Sequence, residues 1–348
     1  MKKIFLFGLV AAAVLAGCSK DETIEVSSAS QKGAIAFDSF VNLSTKGATD
    51  DLTSETFRSF QVWGLMTDGN QTGTPFVGTE VTSTDGKTWS YGTPVYWENG
   101  YKYSFVAIAP SKSSAWTFTA PQTVGEWGSI AFTNGVGTTD LIYDIDDTYV
   151  SLAVSTEDAC PNAIPFTFNH LLSRVKFAFT NEMADNSLLE VVGVKILDAN
   201  NKAIATLGET ASWTLAGDNA VTELEFGSAV LEESSSFGNG ETASTDHKYM
   251  IPAPSEGQKY TLQFTINRTT QAGTEHQYNH EVELPDVKWA AGNSYCFTAS
   301  IDASNIIDDP DNPDAELCPI TFTAEVGAWG DFNDNEVTLP EYTTGGGE

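Results

Sequence analysis

Apolar residues recur at every second position through much of the chain, in short runs rich in Thr, Val, Phe, Tyr and Ile and bounded by Gly, Asn, Asp and Pro. Clear examples are Ser59–Leu65, Tyr101–Ile108, Arg174–Phe179 and Lys259–Ile266. Such alternation places one face of a strand in a core and the other in water. From Ala34 onwards no long stretch follows the period of a helix. The pattern predicts an all-β protein built from antiparallel sandwiches.

Proline and polar residues interrupt this strand pattern near the middle of the chain. The segment Glu157–Pro165 contains Pro161 and Pro165 between two strand-like stretches, as a linker does. A chain of 348 residues is long enough for two domains of ordinary size. We therefore predict an N-terminal domain at residues 34–160 and a C-terminal domain at residues 161–348.

The first residues have the pattern of an export signal. Lys2 and Lys3 form a basic start, and the apolar run Ile4–Leu15 follows. That run is too short to cross a bilayer as a helix, which takes about 20 apolar residues. A basic start, a short apolar run and small residues at the exit are typical of a signal peptide. We predict that residues 1–17 are removed.

The end of this signal resembles the lipobox of bacterial lipoproteins. It reads Leu15-Ala16-Gly17-Cys18, with small residues that let a peptidase reach the bond between Gly17 and Cys18. The resemblance implies acylation of the Cys18 thiol, for example by palmitate, a lipidated tether at residues 18–33 and anchoring to the outer membrane. The alternative is an ordinary cleaved signal with an incidental cysteine. Ser19–Glu22 resembles a surface-export signal of some Gram-negative lipoproteins, or is a charged tether and nothing more.

Acidic residues far outnumber basic ones. The 47 Asp and Glu against 17 Lys and Arg give a formal net charge of −30. This charge repels nucleic acids and anionic lipid surfaces, so we expect neither as a partner. It also keeps an exported protein soluble until another interaction overrides the repulsion.

Three cysteines remain once Cys18 is set aside. Cys160, Cys296 and Cys318 are an odd number, so one pair could form a disulfide in an oxidising compartment and leave one thiol over. Their spacing resembles no zinc site. The sequence leaves the pairing open.

Candidate catalytic and metal-binding groups are few. The sequence contains no nucleophile elbow, phosphate loop, zinc-protease helix or dinucleotide fingerprint. His276 and His280 are four residues apart in a strand-like stretch, and we interpret them as a surface pair. His170 is interpreted as structural, Asp308–Asp314 as a solvated loop, and Asp331–Glu336 lacks the glycine and late glutamate of a calcium loop. We therefore expect no enzyme activity, no metal and no cofactor.

Four segments carry longer patterns in a fixed order behind the lipobox: Pro94–Pro110, Phe168–Phe177, Trp289–Phe297 and Ile320–Trp329. Together they resemble the fimbrillin family, the subunits of type V pili, over essentially the whole mature chain. The resemblance implies two transthyretin-like antiparallel β-sandwich domains in tandem. It also implies a structural pilus subunit that serves adhesion and has other pilin subunits as partners.

The resemblance further implies a route of assembly. In the family, a trypsin-like surface protease cuts near the first strand, and the C-terminal segment of the next subunit fills the groove that the removed strand leaves. In this chain residues 34–46 are the removable strand, and Lys46 before Gly47 is the basic cleavage position. Many members carry Arg there, so an arginine-specific protease would leave this chain uncut. The alternative is that Lys46 is a surface lysine in a turn.

The candidate donor is the tail at residues 336–348. Val337 and Leu339 share one face of a strand, spaced to enter successive pockets, and Pro340 would end the pairing because it lacks an N–H. The alternative is that this tail is a last strand with a frayed end.

Two other functions stay open on the sequence. The protein could be a monomeric, lipid-anchored surface protein that binds a glycan or another host ligand, or it could occupy the anchor or tip position of a pilus. A stalk subunit needs both cleavage at Lys46 and a donor tail. An anchor keeps its lipid at Cys18, and a tip accepts a strand without donating one.

Overall fold

The computed structural model describes residues 33–41, 52, 56–156, 162–232, 234–252, 259–286, 289–306 and 320–328. These residues form twenty strands and no helix, so the predicted all-β fold is confirmed. In chain order the strands are β1 (Phe37–Val41), β2 (Ser59–Thr67), β3 (Thr72–Thr82), β4 (Lys102–Ala109), β5 (Trp116–Thr119), β6 (Ser129–Thr133), β7 (Ile142–Asp146), β8 (Ile164–His170), β9 (Ser173–Asn181), β10 (Leu188–Asn200), β11 (Lys202–Thr206), β12 (Ser212–Leu215), β13 (Val221–Ala229), β14 (Ser236–Phe237), β15 (Thr242–Ser244), β16 (Lys248–Met250), β17 (Thr261–Thr269), β18 (Glu275–Glu283), β19 (Asn293–Ile301) and β20 (Phe322–Ala328).

The first sheet has six strands in the order β1-β8-β7-β4-β2-β3. Its neighbours are antiparallel except β1 and β8, which run parallel. Central strand β4 is buried on both faces: Phe105 and Ala107 join one core, and Val106 and Ile108 join another. This burial explains why β4 is apolar from Phe105 to Ala109 while the more peripheral β2 alternates.

A four-stranded sheet in the order β12-β11-β6-β5 covers the second face of the first sheet. It combines β5 and β6 with β11 and β12, which come from much later in the chain. The join is an antiparallel pairing of β6 with β11, from Lys202 opposite Thr133 to Thr206 opposite Ser129. Side chains from both parts of the chain, including Ile130 and Ala205, therefore share one core.

The remaining strands form a sandwich. One sheet has the order β13-β10-β17-β18 with β14 beside β10, and the other has the order β15-β9-β19-β20 with β16 beside β9. Aromatic rings cross between the sheets: the ring centroids of Phe179 and Phe264 are 5.1 Å apart, and those of Phe177 and Phe226 are 4.8 Å apart. Strands β9 and β19 run parallel, the second such pair in a mostly antiparallel fold.

The boundary predicted between residues 160 and 161 falls between β7 and β8, which pair in the same sheet through Ile142 opposite His170 and Tyr143 opposite Asn169. The connecting residues 157–161 are not among those described. The division into an N-terminal and a C-terminal domain stays a prediction.

Candidate functional site: the slot of the first strand

The chain segment at residues 33–41 lies between two other stretches of backbone. On one side β1 pairs in parallel with β8, from Phe37 opposite Ile164 to Val41 opposite Phe168. On the other side the Ile35 N–H donates to the Val95 carbonyl at 2.8 Å, and the Trp97 N–H donates to the Gly33 carbonyl at 3.0 Å. We call this space, between β8 and residues 95–97, the first-strand slot.

Phe37 fills the centre of the slot and is 3% exposed. Its ring is surrounded by five other aromatic rings at centroid distances of 5.1 to 6.3 Å, those of Phe60, Phe76, Tyr91, Phe105 and Phe166. Edge-to-face and stacked arrangements at such distances are favourable beyond the burial of area alone. We call the space enclosed by these five rings the Phe37 pocket.

Gly64, behind the pocket, has no side chain that would contact two of these rings. A Cβ at Gly64 of β2 would lie 3.1 Å from ring atoms of both Phe105 and Phe76. Any larger residue there would press on the wall of the Phe37 pocket, because cores are packed too closely to absorb an added side chain without a shift. Gly64 thus leaves room for the walls of the Phe37 pocket.

Other groups of the slot are polar. The Tyr91 hydroxyl donates to the Ile35 carbonyl at 2.5 Å and so ties the segment before β1 to the pocket wall. The buried Ser39 hydroxyl has no hydrogen-bond partner among the described residues, and the same holds for the indole N–H of Trp97, whose backbone borders the slot. Such groups are costly to bury unpaired, so the present occupant leaves part of the slot unsatisfied.

Two carboxylates of the chain around β7 hold β8, the wall of the slot. Asp140 Oδ1 lies 3.0 Å from His170 Nδ1 at the end of β8, and both side chains are at most 2% exposed. Asp140 Oδ2 also accepts the Leu52 N–H at 3.0 Å. Asp144 Oδ2 accepts the Thr167 N–H of β8 at 2.7 Å. These bonds supplement the two residue pairs that join β7 and β8.

The carboxyl group of Asp144 is predicted to make stability depend on pH. Burial raises the pKa of Asp144 to about 6 from its ordinary value of 3.8. Because the native state holds the proton more tightly than the unfolded state, the associated stabilisation is fully present below pH 3.8 and is lost as pH rises through about 6. The change is on the order of 1–2 kcal/mol after allowance for partial exposure.

We therefore expect Asp144→Asn to raise the urea midpoint at pH 7.5 and to flatten its change between pH 4.5 and 7.5. The asparagine Oδ1 still accepts the Thr167 N–H, so only the charge is removed. The exposed Asp246→Asn serves as the control and should keep the wild-type slope. A wild-type slope in Asp144→Asn would contradict the assignment.

The processing and anchoring residues predicted from the sequence lie outside the described residues: Gly17, Cys18, Lys46, Gly47, Val337 and Leu339. Of the removable segment 34–46, residues 34–41 are described and occupy the slot. Cys160 and Cys318 are likewise outside the described part, and Cys296 Sγ lies 3.9 Å from Thr298 Oγ1. The described part includes no helix long and apolar enough to span a membrane.

The interpretation of His276 and His280 as a surface pair is wrong for His280. That ring is 8% exposed and stacks on Phe264 at a centroid distance of 5.2 Å. Burial lowers the pKa of His280. Within the described ranges, no group of three or more His, Cys, Asp or Glu side chains is placed to hold a metal ion.

Sequence reasoning missed the Phe37 pocket and the Asp140 contacts. The residues of the pocket come from five separate stretches of the chain, and a local pattern does not show that they meet. His170 was singled out in a family signature, but its partner Asp140 is 30 residues earlier, in no motif. The alternation of Ile35, Phe37 and Ser39 was the available signal, and it identified the strand without its neighbours.

Comparisons with known proteins match two parts of this chain to family models. A model of the Fimbrillin-like family matches residues 45–316, and a model of the prokaryotic membrane lipoprotein lipid attachment site matches residues 1–19. No curated protein sequence matches the chain.

Solved structures that align with this chain have little sequence identity to it. A proposed cell adhesion protein from Bacteroides ovatus aligns with a TM-score of 0.50 at 13% identity, covering 86% of this chain and 98% of that one. A proposed cell adhesion protein from Bacteroides uniformis aligns with a TM-score of 0.43 at 16% identity, covering 85% and 98%. The fimbrial anchor protein Mfa2 from Porphyromonas gingivalis aligns with a TM-score of 0.36 at 11% identity, covering 85% and 96%.

The family match spans well over half of the 348 residues and includes β2 to β19, with the strands that enclose the first-strand slot. Its description agrees with the resemblance seen in the sequence. The chain belongs to the Fimbrillin-like family.

Proposed function

We propose that this protein is a structural subunit of a cell-surface pilus. It is exported as a lipoprotein acylated at Cys18, cut between Lys46 and Gly47 by a trypsin-like protease, and polymerised by donor-strand exchange. Adhesion is the role of the assembled fibre. The observation that supports this most is the first-strand slot: the segment just before the predicted cut is an edge strand with a fully buried aromatic anchor.

The position of β1 at the edge of its sheet makes the exchange physically reasonable. An edge strand has one neighbour in the sheet, so it can leave without breaking the sheet in two. Its departure would uncover the Phe37 pocket and the free edge of β8. Burial of one aromatic side chain contributes about 1.5–3 kcal/mol, so an empty slot strongly favours a replacement strand.

The acidic charge disfavours two classes of partner. A net charge of −30 opposes association with nucleic acids and anionic lipid surfaces, so the proposed partners are other pilin subunits and, before cleavage, the membrane through the lipid. We propose the outer membrane as the site of that anchor. The proposed role requires no catalytic group, metal or cofactor.

The test is the N-terminus and intact mass of the protein recovered from the cell surface, with an unboiled gel run alongside. The proposal predicts a start at Gly47 and a detergent-resistant ladder, because strand-exchanged polymers resist dissociation at room temperature. A start at lipidated Cys18 without a ladder would overturn the stalk assignment. It would favour an anchor subunit or a monomeric protein that binds a glycan or host ligand.

A further inference from the structure

The Phe37 pocket is shaped for an aromatic ring. Five rings from four strands and the residue 91 region surround its occupant. Closely packed aromatic walls relax little, so a valine or leucine in place of the ring would leave a void. A replacement strand therefore gains most when it brings an aromatic side chain to this position.

The C-terminal segment contains one residue that meets this requirement. Within residues 336–348, Tyr342 is the sole aromatic residue. Thr344 follows two positions later, as Ser39 follows Phe37 in β1, so a small hydroxyl residue keeps the same spacing. Because strand faces alternate, a tail that pairs as a strand would present Tyr342 on the face opposite to Val337 and Leu339.

We propose that the first-strand slot accepts the C-terminal segment of a second copy in the register that places Tyr342 in the Phe37 pocket. This inference rests on the proposed function and specifies its contact. It excludes the register anchored by Val337 and Leu339, since a strand cannot present both faces to one pocket.

The backbone of the segment suits this register when it runs in the direction of β1. Glu341 then takes the place of Ala36, whose carbonyl accepts the Ile164 N–H at 2.9 Å, and any residue supplies a carbonyl. Pro340 takes the place of Ile35 and loses the bond to the Val95 carbonyl. The position of Ile35 precedes the residues that pair with β8. Proline is tolerated at the start of a strand, so Pro340 is compatible with this position.

The hydroxyl of Tyr342 would also enter a cluster that contains unpaired donors. The buried indole N–H groups of Trp89 and Trp97 have no partner in the described part of the chain. Trp97 packs on Phe105, a wall of the Phe37 pocket, at a centroid distance of 5.9 Å. A phenol oxygen can accept a hydrogen bond that the phenylalanine of β1 cannot.

The experiment compares tail variants of the full chain after cleavage at Lys46, with the ladder on an unboiled gel as the readout. We expect Tyr342→Ala to reduce polymer yield roughly tenfold or more, because it removes the ring that fills the pocket. Tyr342→Phe keeps the ring and should stay within about threefold of the wild type. Leu339→Ala, the matched truncation on the opposite face, should also stay within about threefold. Urea unfolding of each uncut variant checks that the subunit is intact.

The outcomes distinguish a failure of the Tyr342 register from a failure of the proposed strand exchange. A ladder that survives Tyr342→Ala but is lost in Leu339→Ala overturns the Tyr342 register and leaves strand exchange standing. A cut wild-type protein that forms no ladder overturns the proposed function, and the inference with it. If the ladder is lost in Tyr342→Ala and kept in Leu339→Ala and Tyr342→Phe, the result supports both the Tyr342 register and strand exchange.

Discussion

Replacing Phe37 with alanine is expected to lower the free energy of unfolding of the uncut protein by about 3–5 kcal/mol. The ring is 3% exposed and touches aromatic rings from β2, β3, β4 and β8. Its removal loses the burial of the side chain and leaves a void, since the neighbouring rings pack on one another and cannot collapse into the space. Urea unfolding followed by tryptophan fluorescence measures the change.

A matched truncation on the surface tests whether the loss comes from the pocket. Val77 of β3 is 70% exposed, so Val77→Ala should change the free energy of unfolding by less than about 0.5 kcal/mol. If Phe37→Ala were as mild as Val77→Ala, the Phe37 pocket would not hold β1, and the first-strand slot would lose its main support.

Asp140→Ala is expected to destabilise the protein by about 3 kcal/mol. The carboxylate is 1% exposed and has two partners, His170 Nδ1 and the Leu52 N–H. Alanine would remove the oxygen atoms that bind these two groups, and losing a hydrogen-bond partner inside a protein costs more than the bond itself contributes. Urea unfolding at pH 7.5 gives the magnitude.

The isosteric Asp140→Asn separates hydrogen bonding from packing at the same position. Its Oδ1 can still accept one of the two bonds, so the expected loss is about half that of Asp140→Ala. Equal losses in the two variants would show that charge, and not the bonds, makes the contribution. The Leu52 bond adds a local readout: limited proteolysis between residues 42 and 55 should become faster in Asp140→Ala than in wild type.

This second prediction bears on assembly because of where Leu52 lies. The residue follows the proposed cut at Lys46 by six positions and is tied to Asp140, which in turn contacts the end of β8. Leu52 is thereby linked through Asp140 to His170 at the end of β8, the strand that borders the slot. In a protein cut at Lys46, the Leu52 bond would lie at the sixth residue from the new end of the chain.

The sequence by itself determined where many of the strands lie and which family the protein belongs to. Alternation is a local property with a period of two, so Ser59–Leu65 and Lys259–Ile266 predicted β2 and β17 without knowledge of their neighbours. Four ordered signatures and the lipobox indicated the family, because each is a contiguous stretch. The resemblance also placed a strand within residues 34–46, and the structure shows β1 at residues 37–41.

Only the tertiary structure decided which strands and side chains meet. The parallel pairing of β1 with β8, the join of β6 to β11 and the enclosure of Phe37 by five rings bring together residues far apart in the chain, and no local period encodes such contacts. His280 illustrates the limit: we interpreted it from the sequence as half of a surface pair, yet the pairing of β17 with β18 places its ring on Phe264. Local sequence fixes which face of a strand is apolar, whereas burial depends on what the fold sets against that face.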